Sequence, residues 1–210
     1  MQNGTQVTAG YTYPEHMEAC LKMQKNNTHM NNTVLLVYMA LMTALNLIFT
    51  RLIAFDLGPY RIAFGPVATI MAGLWLGPVC GGICGFMSDV LGCFIKGYPP
   101  NPLITVTAVL WGVFSGLAGR RLTRFTGLTR KGRAFTIASA VAAAGLIGSI
   151  GFTTAGLVLI LGYNFYAIFP GRVIQTVIMT LLYSVVCCTL YFSPLTVMIR
   201  TSLYTEPVGV

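Results

Sequence analysis

Long apolar runs separated by short polar or Gly-Pro turns set the pattern of this chain from residue 34 to residue 199. Six runs stand out, at 34–55, 61–76, 79–95, 103–119, 134–162 and 172–199. A helix needs about 20 apolar residues to cross a hydrocarbon core roughly 30 Å thick. The second run is short and carries Gly65-Pro66, which predicts an interrupted helix, tolerated at membrane depth where the backbone is buried in protein or lines a cavity. The fifth is longer than a crossing requires, which predicts tilt or protrusion. Gly77-Pro78 predicts a very tight turn between the second and third runs. The pattern thus predicts an all-α integral membrane protein, a six-transmembrane-helix bundle over residues 34–200. A polar N-terminal tail at 1–33 and a short C-terminal tail at 201–210 flank it.

Composition agrees: of 210 residues 55% are hydrophobic and 9% charged, and the mean hydropathy is +0.74, values typical of integral membrane proteins. The net charge of +8 does not point to nucleic acid, because six of the thirteen Lys and Arg residues fall between Arg120 and Arg133, in one loop between apolar runs. Such a cluster marks the cytoplasmic side. Both termini then come out cytoplasmic, and the loops 56–60, 98–102 and 163–171 share the outer face. The Asn-rich tail has no basic segment leading into a short apolar stretch with a small-residue cleavage site, so no signal peptide is expected.

Ionisable groups inside apolar runs are costly and normally face a cavity or a partner. Asp89, in the third run, is the acid of this kind. It can accept hydrogen bonds from the NH groups of a ligand, or pair internally with Arg61 or Arg172. Those two arginines suit an anionic ligand, since a guanidinium fork matches a carboxylate; alternatively they snorkel to the interface from helix ends. Tyr60, Phe64, Tyr98, Tyr163, Phe165 and Tyr166 offer stacking surfaces for a flat heterocycle, or an interfacial aromatic belt. Asn101 belongs to the ring-rich loop Gly97-Tyr98-Pro99-Pro100-Asn101-Pro102 that closes this unit. The candidate binding set is therefore Arg61, Phe64, Asp89, Tyr98, Asn101, Tyr163 and Arg172.

Cys20, Cys80, Cys84, Cys93, Cys187 and Cys188 show no ligand spacing with His16 or His29, which argues against a metal site. There is no nucleophile elbow, phosphate loop or carboxylate pair, so an enzyme is not expected. Gly81, Gly82 and Gly85, and again Gly112 and Gly116, allow close helix approach. Ala40 and Ala44 form another small-residue face, which by spacing alone reads as internal packing.

The succession Arg61-Ile62-Ala63-Phe64-Gly65-Pro66, Ala72-Gly73, Gly77-Pro78, Gly85 and Ser88-Asp89-Val90-Leu91-Gly92 resembles the substrate-binding S components of energy-coupling factor (ECF) transporters, and among them is most similar to the folate group. Phe169-Pro170-Gly171-Arg172-Val173-Ile174-Gln175 resembles that group's entry into its last helix. The loop at 98–102 departs from the family's aromatic-Pro-Gly-aromatic run, as does the Gly171 inserted between Pro170 and Arg172. The resemblance implies a prokaryotic six-helix protein that captures a vitamin, here folate, at the extracellular face. It implies partners too: a transmembrane coupling subunit and two ATP-binding subunits, which use the ATP, while this chain binds no cofactor. In that family small residues of the first helix meet the coupling subunit, a role the resemblance passes to Ala40 and Ala44. An S component for another vitamin, such as pantothenate or riboflavin, and a small autonomous carrier or channel are the competing readings.

Overall fold

The structure, a computed structural model, describes residues 32–51, 53–57, 60–97, 99–125, 129–160 and 162–204. Tyr98, most of the polar N-terminal tail and the last six residues lie outside the described residues.

The apolar runs become helices. Helix α1 is Asn32–Arg51, and only Met42 and Asn46 of it are buried. A two-stranded antiparallel ribbon follows, β1 (Phe55–Leu57) and β2 (Tyr60–Ile62), with Asp56 opposite Arg61. This ribbon corrects the expectation that Arg61 opens the second helix. Helix α2 starts instead at Gly65 and ends at Leu76, with Pro66 in its first turn. Proline is tolerated there because the first N–H groups of a helix have no internal acceptor. Gly65-Pro66 therefore begins this helix and does not break it.

Helices α3 (Pro78–Lys96) and α4 (Pro102–Arg124) come next. A single residue, Gly77, both ends α2 and precedes α3, at φ 95°; a side chain there would strain the backbone. Helix α5 (Arg130–Ala144) runs through a π-helical segment, Gly145–Thr153, into α6 (Thr154–Leu159). The last long helix, α7, is Phe165–Tyr191, and α8 is Pro194–Tyr204. The expected loop at 163–171 thus shrinks to residues 162–164, and the expected run to 199 divides at Phe192 and Ser193.

Among the described residues, five helical stretches are long and apolar enough to cross a membrane: α1, α3, α4, the continuous α5–α6 rod and α7. Helix α2, twelve residues and so about 18 Å long, is a shorter apolar helix. Every residue of it from Val67 to Leu76 is buried, so it forms the centre of the bundle.

Contact between α2, α3 and α4 is backbone to backbone. A Cβ on Gly81 would lie 2.6 Å from the Gly73 Cα, and one on Gly112 would lie 2.1 Å from the Gly81 carbonyl oxygen. Helices approach this closely only through small residues. The glycine faces of α3 and α4 are therefore internal packing. The alanine face of α1 is not: Ala40 and Ala44 are both exposed, beside exposed Leu36, Val37, Leu41 and Leu45. That corrects the packing reading of those two residues.

Candidate binding site

At the ribbon end of the bundle, α1, α2, α3, α4, the π segment and α7 surround a cavity of about 200 Å³. Among the described residues, the charged side chains that line it are Arg51, Asp89 and Arg172.

Asp89 is half-buried on α3. Its Oδ2 accepts a hydrogen bond from Thr105 Oγ1 at 2.7 Å. Arg51, at the C-terminal end of α1, donates from Nη2 to the Asp89 main-chain carbonyl at 3.5 Å. Gly92, one turn after Asp89, makes room for that guanidinium, since a Cβ there would sit 2.2 Å from both Nε and Nη2 of Arg51.

Arg172 is 5% exposed. Its Nη2 donates to the Ser149 carbonyl at 3.2 Å, and its Nη1 to Gln175 Oε1 at 3.3 Å. Asp89 and Arg172 thus face one cavity, each held by other groups and not paired with each other. Burial also removes the snorkelling reading of Arg172, because its head group is turned into the bundle.

The remaining wall is rich in hydroxyls. Thr153 Oγ1 donates to Thr107 Oγ1 at 2.9 Å, and Thr107 Oγ1 donates to the Gly148 carbonyl at 2.9 Å. Ser149 Oγ and Thr176 Oγ1 are 3.0 Å apart. Asn46 Nδ2 donates to Thr69 Oγ1. Segments of π-helix recur at functional sites, and this one supplies Ser149 and Thr153 to the wall. The aromatic lining is Trp111 and Tyr183, edge to face with centroids 5.6 Å apart. Tyr183 Oη donates to the Ala63 carbonyl at 2.5 Å, tying α7 to the start of α2.

Other expected binding residues fall elsewhere. Asn101 caps α4, its Oδ1 accepting from Leu103 N at 3.1 Å, and its Nδ2 donates to the Gly156 carbonyl at 3.2 Å. Its polar atoms serve the fold. Phe64 is partly exposed just before α2, and Tyr163 is half-buried in the 162–164 connection; neither lines the cavity. The Arg61 backbone belongs to the ribbon, and its side chain, like Tyr98, lies outside the described residues.

Kinship gives the family of this chain. The ECF-type riboflavin transporter S component family matches this chain over residues 30–196. The chain belongs to this family. Among individual relatives, the folate transporter FolT of Clostridium novyi (strain NT) is 40% identical over 90 residues, which are 40% of this chain and 52% of that protein. The matched region thus spans about half the length of that curated relative. A crystal structure of FolT bound with folic acid shares the fold at a TM-score of 0.58 and 25% identity, over 75% of this chain and 90% of that one.

In this S component the sequence signals were uneven. Asp89 stands out as a charge within an apolar run, and Arg172 as a charge at the start of one. Arg51 lies near the end of its run, where a charge reads as an interface marker, and the threonines and serines of the wall carry no pattern of their own. The one sequence cue to Arg51 was Gly92, a small residue within the Ser88–Gly92 motif.

Proposed function

We propose that this S component binds folate with high affinity at the extracellular face of a prokaryotic membrane and delivers it together with an ATP-driven energising module. The observation that carries this reading is that, among the described residues, two guanidinium groups and one carboxylate share the wall of the cavity. Folate brings two carboxylates on its glutamate tail for Arg51 and Arg172. Its pterin brings ring and amino N–H groups that a carboxylate such as Asp89 accepts in pairs, and a flat ring for Trp111 and Tyr183. Both individual relatives carry folate in their names.

The family name carries riboflavin, the strongest competing substrate. Riboflavin is flat but has no carboxylate, so it offers no group that matches a guanidinium fork in a bidentate way. Pantothenate has a carboxylate but no ring for the aromatic wall. Folate uses every group in the set.

In this reading α2 is the sixth crossing, sheltered from lipid by its neighbours, which reconciles its length with a six-helix bundle. The basic end, 120–133, is cytoplasmic, as are both termini. Arg61 and Tyr98 belong to the mouth of the site. The exposed Ala40–Ala44 face of α1 receives the transmembrane coupling subunit, which joins two ATP-binding subunits; ATP is used there, and this chain carries no catalytic group.

The test is a folate titration of the detergent-purified protein read by tryptophan fluorescence. Trp111 lines the cavity, so saturable, stoichiometric quenching without nucleotide is the expected result. Quenching by riboflavin and not by folate would overturn the substrate. ATP-independent uptake by the chain alone in liposomes would overturn the partner requirement.

A further inference from the structure

At the basic end of the bundle α8 lies across the end of α2 with one face inward. Thr196, Ile199, Arg200 and Leu203 are buried, and Leu195 and Met198 are exposed. Arg200 is 2% exposed. Its Nη2 reaches the Leu74 carbonyl at 3.4 Å, a long bond, while its Nε and Nη1 find no acceptor. The guanidinium stands 5.6 Å from the ring centroid of Tyr191, whose own buried hydroxyl also lacks a partner.

Three guanidinium N–H groups and a phenol are therefore enclosed without acceptors. Among the described residues the acids are Asp56 and Asp89, on the ribbon and in the cavity at the other end. A buried cation is stable only when its donors are met and its charge is balanced. Arg200 has one weak acceptor and a ring face. Ile199 and Leu203 pack into the core, Trp75 Nε1 donates to Thr196 Oγ1 at 3.1 Å, Thr196 Oγ1 donates to the Leu190 carbonyl at 3.2 Å, and α8 is joined to α7 through the break at Phe192 and Ser193.

We propose that α8 is a detachable strap, and that Arg200 leaves its seat against Leu74 and Tyr191 to pair with an acidic side chain of a protein docking at this end. A carboxylate is the group that suits it, because its two oxygens match the guanidinium fork and its charge balances the cation. The released strap also offers Ile199 and Leu203 as an apolar border for that contact. This rests on the reading that the chain works with partner subunits, but not on which vitamin it binds.

The test is Arg200→Met in the full-length protein, a change that keeps the volume and removes the charge. Expected in detergent is a thermal midpoint several degrees above wild type, with amide exchange over residues 194–204 slowed about tenfold as the strap stays seated. Folate titration is expected to match wild type, because Arg200 does not line the cavity, and this reports that the variant is folded. Uptake in liposomes with the ATP-driven subunits is expected to fall about tenfold or more, since the strap no longer offers its charge to the partner. A lower midpoint with faster exchange would make Arg200 an anchor and overturn the strap. A higher midpoint with wild-type uptake would overturn the acidic partner. Wild-type binding and uptake, measured alongside, report separately on the transport reading.

Discussion

Arg172 donates from Nη2 to the main-chain carbonyl of Ser149 at 3.2 Å, joining α7 to the π-helical segment across the wall of the cavity. Gln175 Oε1, one turn along α7, takes Nη1 at 3.3 Å. The guanidinium is thereby held in one orientation before any ligand arrives, which limits the entropy lost when a carboxylate binds.

Arg172→Lys keeps the charge but loses the fork. Folate affinity should fall about tenfold, and about a hundredfold for Arg172→Met, matching the 1.5–3 kcal/mol typical of hydrogen bonds to charged groups. Isothermal titration of both variants checks this. Equal affinity for wild type and Arg172→Met would remove Arg172 from the site.

Gly92 and Arg51 make a second test. A Cβ at residue 92 would come within 2.2 Å of the Arg51 guanidinium, the far end of a flexible side chain, so Gly92→Ala should push that head group aside while leaving the backbone in place. Affinity for folate should drop about tenfold in Gly92→Ala and in Arg51→Met, and the double variant should be no worse than either single one, the signature of two changes acting through one contact. Additive losses would mean that Gly92 acts on something other than Arg51.

Asn101 should separate stability from binding. Loss of an N-cap costs about 1 kcal/mol, and Asn101→Ala also removes one of two donors to the Gly156 carbonyl, leaving the Ile160 N–H. The thermal midpoint should fall by a few degrees, with folate affinity within about twofold of wild type. A large loss of affinity at unchanged stability would return Asn101 to the ligand.

Much of the fold was legible because a membrane limits the choices. Apolar length marked the crossings, Gly77-Pro78 marked the tight turn, Asp89 was conspicuous as a charge in an apolar run, and Arg172 as a charge at the start of one. The errors sit where local chemistry permits two structures. Phe165 to Gly171 reads as a loop because of Pro170-Gly171, yet α7 runs through it. Tyr166, whose carbonyl the missing Pro170 N–H would have reached, is 87% exposed, and a carbonyl at such a surface position loses little when one helical bond is absent. Arg61 lies in a three-residue strand that apolar periodicity cannot distinguish from a helix start. The π winding of Gly145–Thr153 left no mark, since its glycines fit any helix in lipid. Nor could the aromatic residues of the outer loops reveal that Trp111 and Tyr183, inside the runs, would line the cavity.

The two small-residue faces divide cleanly, and this yields the last prediction. Gly81 and Gly112 are consumed in backbone contact within the bundle, so Gly112→Leu should prevent folding. Ala40 and Ala44 are exposed on α1, where a larger apolar side chain can extend outward among the described residues. Ala40→Leu and Ala44→Leu should therefore leave thermal stability within about 0.5 kcal/mol and folate titration unchanged. If a partner helix packs on this face, its close approach depends on small side chains, and each leucine should hold it off. ATP-driven uptake in liposomes with the coupling and ATP-binding subunits should then fall at least about tenfold, most steeply in the double variant. Loss of folate binding in either single variant would show instead that the face serves the bundle. Full uptake by the double variant would move the docking surface to another part of the molecule.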